Sequence, residues 1–282
     1  MPSVVRNMTR LLSTRGMPIA YSRWLWSLMV RGEAPPVPCA NTNIGGWVNF
    51  SDYWCFHKGI PRAQRRLIEN CLRTTASPRP VAIDIGANLG LFTAELAGRG
   101  FPEVHSFEPA PKTFAKLKLN IEASPCTRRT VMLNRIAVGP RNGVADLQLD
   151  PESPATNHVY LEGAERECPV QRVPMTTLDR YCDENGIEQI DFLKIDTEGF
   201  EPYVLEGAQH CLRNGRIPMI LLEVCPSLLE RAGSSVTALY DRLLGSGYWP
   251  HELKSNGQPG GALSVKRLEK IRLDDIVAVP YP

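Results

Sequence analysis

Val81-Ala82-Ile83-Asp84-Ile85-Gly86-Ala87-Asn88-Leu89-Gly90 is a short apolar run that breaks at Gly86 and leads into a second apolar stretch, Leu91 to Ala97. The run is bounded by Pro80 and Gly86, which predicts a buried strand; the stretch after it predicts a helix. The segment therefore reads as a glycine-bearing turn from strand to helix. Glycine there permits unusual backbone angles and close ligand approach. The start of a helix also offers unpaired N–H groups. Open α/β sheets bind ligands outside the carboxyl ends of their strands, so this turn marks a candidate site.

The same alternation continues outward. Val104 to Phe107 predicts a second strand, Lys112 to Ile121 a helix, and Val131 to Val138 a third strand. Residues 139–174 are irregular, with antiparallel strands expected around 144–149 and 169–173. Thr176 to Glu184 predicts a helix, Ile190 to Ile195 a strand, Pro202 to Leu212 a helix, Met219 to Val224 a strand and Val236 to Leu244 a helix. Tyr248 to Leu253 and Ile276 to Val279 close the chain as two strands, with Gly257 to Gly261 in the loop between them. Strands alternating with helices predict an α/β fold with a mostly parallel sheet covered on both faces.

Upstream, residues 34–41 read as a proline-rich linker, residues 44–56 as a short strand pair and residues 61–75 as a helix opened by Pro61. The expected division is an N-terminal extension, 1–75, and one α/β domain, 76–282. The length of 282 residues is enough for one large α/β domain plus a short extension, or at most two domains. A net charge of +2 does not mark a nucleic-acid partner, and no basic-aromatic stripe is evident. None of the eight cysteines stands at C-x-x-C spacing, so reduced, mostly buried thiols and a cytoplasmic location are expected.

An acid at the end of the second strand would suit a ribose. Glu108 stands there in Phe107-Glu108-Pro109, 22 residues after Gly86. A carboxylate accepts hydrogen bonds from both ribose hydroxyls. The nicotinamide fingerprint G-x-G-x-x-G fails, because Asn88 takes the second glycine's place. Asp84 also disfavours a pyrophosphate, which it would repel. It suits a ligand with an ammonium and a sulfonium, as S-adenosylmethionine has. An NAD-dependent oxidoreductase and a non-catalytic cofactor-binding protein are the alternatives.

A second dense feature is Asp191-Phe192-Leu193-Lys194-Ile195-Asp196-Thr197-Glu198-Gly199-Phe200-Glu201. Asp196 falls at the carboxyl end of its strand, on the side of the glycine turn. Glu198 and Glu201 follow at the mouth of the next helix, where a helix dipole alone accounts for negative charge. Together with Ala137-Val138-Gly139, Thr176-Thr177-Leu178-Asp179 and Leu222-Glu223-Val224, these stretches resemble the FkbM-type methyltransferases over about Val81 to Val224. The resemblance implies a class I methyltransferase (Rossmann-like) fold whose seven-stranded sheet ends in an antiparallel strand. It further implies S-adenosylmethionine as donor and O-methylation of a sugar, glycolipid or natural-product hydroxyl. On that basis Asp84, Gly86, Asn88 and Gly90 surround the methionine part, Glu108 the ribose, and Ile136 and Ala137 the adenine.

Removing a hydroxyl proton calls for a general base. Asp196 is the first candidate and His158 the second; Glu198 or Glu223 would orient the acceptor. A divalent ion could be held by Asp196 and nearby carboxylates, but no ligand spacing in the sequence demands one. The acceptor is expected to be a small molecule or glycan, and its identity and the oligomeric state are not readable.

The first 32 residues hold five arginines and no acid. The apolar stretch within them, Ile19 to Val30, is too short to span a membrane and lacks the pattern of a secretory signal. A helix packed on the domain is the plain reading. A peripheral membrane contact through residues 17–30, with Trp24, Leu25, Trp26 and Leu28 at the interface, is the alternative.

Overall fold

The computed structural model describes residues 17–31, 36–39, 42–45, 53, 57, 59–123, 125–149, 158–161 and 170–281. Its centre is an eight-stranded sheet. The middle strand is β3 (Val81–Ile85), flanked on one side by β4 (Glu103–Phe107) and β5 (Val131–Asn134) and on the other by β10 (Phe192–Ile195) and β11 (Ile220–Val224). These five run parallel. Ala82 to Ile85 and Phe192 to Ile195 are buried throughout, as strands with helices on both faces must be. The chain leaves β3 towards β4 and later returns to its other side as β10, so the topological switch falls at the end of β3.

The sheet continues from β11 through β14 (Asp274–Pro280) and β12 (Tyr248–Leu253) to β13 (Pro259–Ala262). β14 is antiparallel to β11, as the resemblance implies. The eighth strand, β13, exceeds the expected seven and overlaps the Gly257 to Gly261 segment read as loop. Gly257 (φ +73°) turns the chain back, and a Cβ there would sit 2.4 Å from Leu67 N. Such turns are glycine's province, and they are how a loop reading becomes a hairpin.

The expected third strand divides. β5 stays in the main sheet, while β6 (Ala137–Val138) joins a second, four-stranded sheet in the order β6, β9 (Val170–Thr176), β7 (Gly143–Gln148) and β8 (His158–Leu161). The expected helix from Pro202 to Leu212 also divides, into Glu201–Glu206 and Gln209–Arg213. Asp179 causes the break: its carboxylate accepts the amides of His210 (2.8 Å) and Cys211 (2.9 Å), capping a new helix there.

The short antiparallel pair of the extension is β1 (Val37–Cys39), inside the stretch read as linker, with β2 (Thr42–Ile44) just after it, so the pair begins earlier than expected. The remainder of the 44–56 expectation lies mostly outside the described residues. Helix α1 (Met17–Arg31) precedes that pair and α2 (Arg62–Thr74) follows it. Gln64, Leu67, Ile68 and Cys71 form the buried stripe of α2. Ala20, Trp24, Val37, Ile44, Leu67 and Ile68 share one apolar core with Phe92, Leu96, Phe101 and Phe192. The extension thus packs on one face of the sheet, beside α3 (Leu91–Arg99) and α4 (Pro111–Glu122). Cys39, Cys71, Cys182, Cys211 and Cys225 are free thiols, and all of these but Cys225 are buried.

Candidate active site

A cleft opens at the carboxyl ends of the parallel strands. Its walls include Gly86, Asn88, Glu108, Ile136, Ala137, Asp196, Glu198 and Glu223, all expected from the sequence. Ile85, Phe107, Pro109, Val138, Leu147, Val159, Thr197 and Phe200 complete it. Leu147 and Val159 come from the second sheet. No local motif marks them, because only the pairing of β7 with β8 brings them together.

The turn after β3 follows from its backbone. Gly86 has φ +84° and donates to Phe107 O at 3.0 Å, as does Ala87 at 2.9 Å. Asn88 takes φ 49°, a left-handed conformation that asparagine tolerates. Its amide donates to Glu108 Oε2 (3.0 Å), and the Ala110 amide donates to Glu108 Oε1 (2.9 Å). Glu108 is thereby aimed by two backbone donors. Burial pushes its carboxyl up to about 7, against the pull of those two hydrogen bonds.

Asp84 and Gly90 do not line the cleft. Asp84 is wholly buried beneath the turn. Thr93 Oγ1 donates to Asp84 Oδ2 at 2.6 Å, and Lys194 Nζ lies 3.6 Å from Oδ1. Burial pushes Asp84 up in pKa, while Lys194 and Thr93 oppose it. Gly90 (φ +90°) serves the entry to α3, where a Cβ would meet Leu117 Cδ1 at 2.6 Å. His158 begins β8, but its side chain lies outside what the structure describes.

Opposite the turn stand three acids. Lys194 Nζ donates to Asp196 Oδ2 at 2.9 Å and lies 5.1 Å from the Phe92 ring centre. Burial lowers the affinity of Lys194 for its proton, but Asp196 and Asp84 outweigh that and hold the ammonium charged. Glu198, at φ 57°, and Glu223, on β11, face the same space as Asp196. Burial, followed by the neighbouring charge of Asp196, pushes Glu198 up to about 8 and raises Glu223 strongly. One carboxylate oxygen from each of the three lies within 4.8 Å of the others, a geometry that can hold a metal ion, which the sequence spacing had not signalled.

Glu201 plays the capping part. Its Oε1 accepts from Thr197 N (2.8 Å), Thr197 Oγ1 (2.9 Å) and Gly199 N (3.2 Å). So the two glutamates read alike in sequence separate in space: Glu201 holds the loop and Glu198 faces the cleft.

The cleft fits S-adenosylmethionine by its chemistry. A strand-end acid and an apolar wall of Phe107, Ile136, Ala137 and Val138 suit a nucleoside. The methyltransferase FkbM domain model matches residues 84–249, more than half of the chain. Three relatives are similar over about half of it. The 2-O-methyltransferase NoeI of Sinorhizobium fredii is 27% identical over 57% of this chain and 71% of its own. Methyltransferase 1 of Beauveria bassiana is 26% identical over 55% and 72%. The 31-O-demethyl-FK506 methyltransferase FkbM of Streptomyces tacrolimicus is 29% identical over 47% and 60%. The oxidoreductase alternative does not survive these matches. With Glu108 at the end of β4, Asp196 at the end of β10 and the glycine turn between them, the chain belongs to the FkbM methyltransferase family and uses S-adenosylmethionine as its methyl donor.

Proposed function

We propose that the protein is an O-methyltransferase acting on a hydroxyl of a small molecule or glycan, with Asp196 as general base. The observation that carries this reading is the place of Asp196: it lines the cleft at a strand end, across from the turn, and a lysine orients it. Two of the relatives are named for O-methylation, one at a 2-O and one at a 31-O position.

S-adenosylmethionine supplies a methyl group already activated on a sulfonium. Gly86, Asn88 and Glu108 hold the donor side, with Ile136 and Ala137 against the base. The protein's remaining work is to place the acceptor oxygen in line and to remove its proton. The proton passes to Asp196 Oδ1, since Oδ2 is engaged by Lys194. Glu223 and Glu198, raised towards their neutral forms, orient other hydroxyls of the acceptor by donating or accepting hydrogen bonds. His158 is a second candidate base, resting on sequence position alone.

The test is a methyl-transfer screen on sugars, glycolipids and polyketide alcohols with labelled donor. Asp196→Asn is expected to keep donor affinity in calorimetry and to lose roughly a hundredfold or more in turnover. Wild-type turnover in that variant removes Asp196 from the chemistry; transfer only to amines removes the O-acceptor, and transfer only to RNA removes the small-molecule or glycan acceptor.

A further inference from the structure

We propose that α1 docks this protein on an anionic lipid surface, an inference from the extension alone that does not rest on the reading of the cleft. Ala20, Trp24 and Ser27 recur at helical spacing and are buried, with the Trp24 ring 5.2 Å from that of Tyr53. This stripe clamps α1 to the domain. Trp24 faces inward, as a helix packed on the domain requires, and so is not one of the side chains left for the membrane-contact alternative.

The opposite side of α1 is apolar as well. Trp26 is 56% exposed, Met29 78% and Val30 61%, with Leu25 and Leu28 near 39% and 38%. Leu25 and Met29 stand one turn apart, as do Trp26 and Val30, so the four make one continuous outer surface. Soluble proteins rarely show contiguous apolar patches without a partner for them.

Charge decides among partners. Arg6, Arg10, Arg15, Arg23 and Arg31 are the ionisable side chains of the first 32 residues apart from Tyr21, and no acid offsets them. Arg23 is exposed on the flank of the apolar surface. Apolar and tryptophan side chains on a helix face flanked by the exposed Arg23, in a stretch of sequence that carries five arginines and no acid, match the chemistry of an acyl boundary under anionic headgroups. A second protein would be expected to meet some acid in the patch.

The helix lies on the surface rather than crossing it. Its 15 residues reach about 22 Å, short of the ~30 Å hydrocarbon core. Among the described residues no helix is long and apolar enough to span.

The experiment is cosedimentation of the full chain with phosphatidylcholine vesicles and with vesicles containing phosphatidylglycerol. Recovery with the anionic vesicles is expected, falling as salt is raised. The triple variant Trp26→Ser, Met29→Ser, Val30→Ser should bind at least tenfold more weakly, with unchanged circular dichroism and donor affinity. The variant Arg6→Gln, Arg10→Gln, Arg15→Gln should lose the preference for anionic vesicles while keeping its fold. No recovery of the wild-type protein overturns the proposal, and so does equal recovery of the triple variant. A concentration-dependent dimer in sedimentation velocity that the triple variant abolishes, without vesicle binding by the wild type, assigns the surface to a second copy instead.

Discussion

Gly86 lies so close to Asp196 that a Cβ on the glycine would stand 1.7 Å from the Asp196 carbonyl oxygen. The glycine turn after β3 and the acid-bearing end of β10 are therefore in direct backbone contact across the switch point. Asp196 N also donates to Ile85 O at 3.0 Å, joining the two strand ends. The relation makes the two halves of the cleft one rigid unit.

Gly86→Ala is expected to break that unit. Carbonyl backbone at such a distance cannot yield as a side chain can, and φ +84° adds strain for any residue with a Cβ. A loss of roughly 3 kcal/mol or more in urea unfolding is expected, on the scale of special-backbone positions. Donor binding should be undetectable by calorimetry. A variant with wild-type stability and affinity would show that the turn relaxes freely.

Lys194 links the two acids on either side of it. Removing its charge in Lys194→Met leaves Asp84 buried with Thr93 as its remaining partner. Breaking a buried pair in this way costs about 3–5 kcal/mol. The double variant Asp84→Asn, Lys194→Met should recover part of that in denaturant unfolding. Equal losses in the single and double variants would mean that the two groups are not coupled. Because Asp84 is wholly buried, Asp84→Ala is expected to lower stability along with donor affinity.

Glu108→Gln tests the ribose acid. The carboxylate accepts N–H groups from Asn88 and Ala110, and an amide would set an NH₂ against one of them. Donor affinity should fall about tenfold or more, the scale of one lost charged hydrogen bond. Isothermal titration of S-adenosylmethionine and S-adenosylhomocysteine is the measurement; unchanged constants for both would remove Glu108 from the site.

The raised carboxyl of Glu198 sets a pH dependence. Its folded value of about 8 lies above its ordinary 4.5, so the folded protein binds that proton more tightly. The stabilising contribution is full below the ordinary value and is lost as pH rises through about 8. Melting temperature without ligand should therefore drop from about pH 6 to about pH 9, and the drop should be smaller in Glu198→Gln. A parallel decline in both proteins would place the effect elsewhere.

The motif residues divide into those that face the cleft and those that build it. Thr177 caps the helix Leu178–Asn185 by accepting from Arg180 N at 3.1 Å, and Asp179 caps the helix Gln209–Arg213. Asp191 is wholly buried and accepts from Val81 N at 2.8 Å. In sequence these acids look like Asp196 and Glu198. Asp179 is engaged by helix-end amides and Asp191 by a strand-start amide, both away from the cleft, and that distinction needs the positions of the amides and of the cleft.

The parallel core, the glycine turn, Glu108 and Asp196 were all legible in the chain. Each rests on local rules: apolar runs of strand length, a left-handed turn that needs glycine, and an acid at a strand end. Tertiary structure decided what depends on contacts between distant segments. It buried Asp84 under the turn with Lys194, gathered Glu198 and Glu223 against Asp196, and brought Leu147 and Val159 in from the second sheet. It also turned Trp24 inward and left Met29 and Val30 outside. Burial and pairing are properties of the assembled sheet, and an apolar or acidic residue carries no local mark of the face on which it will end.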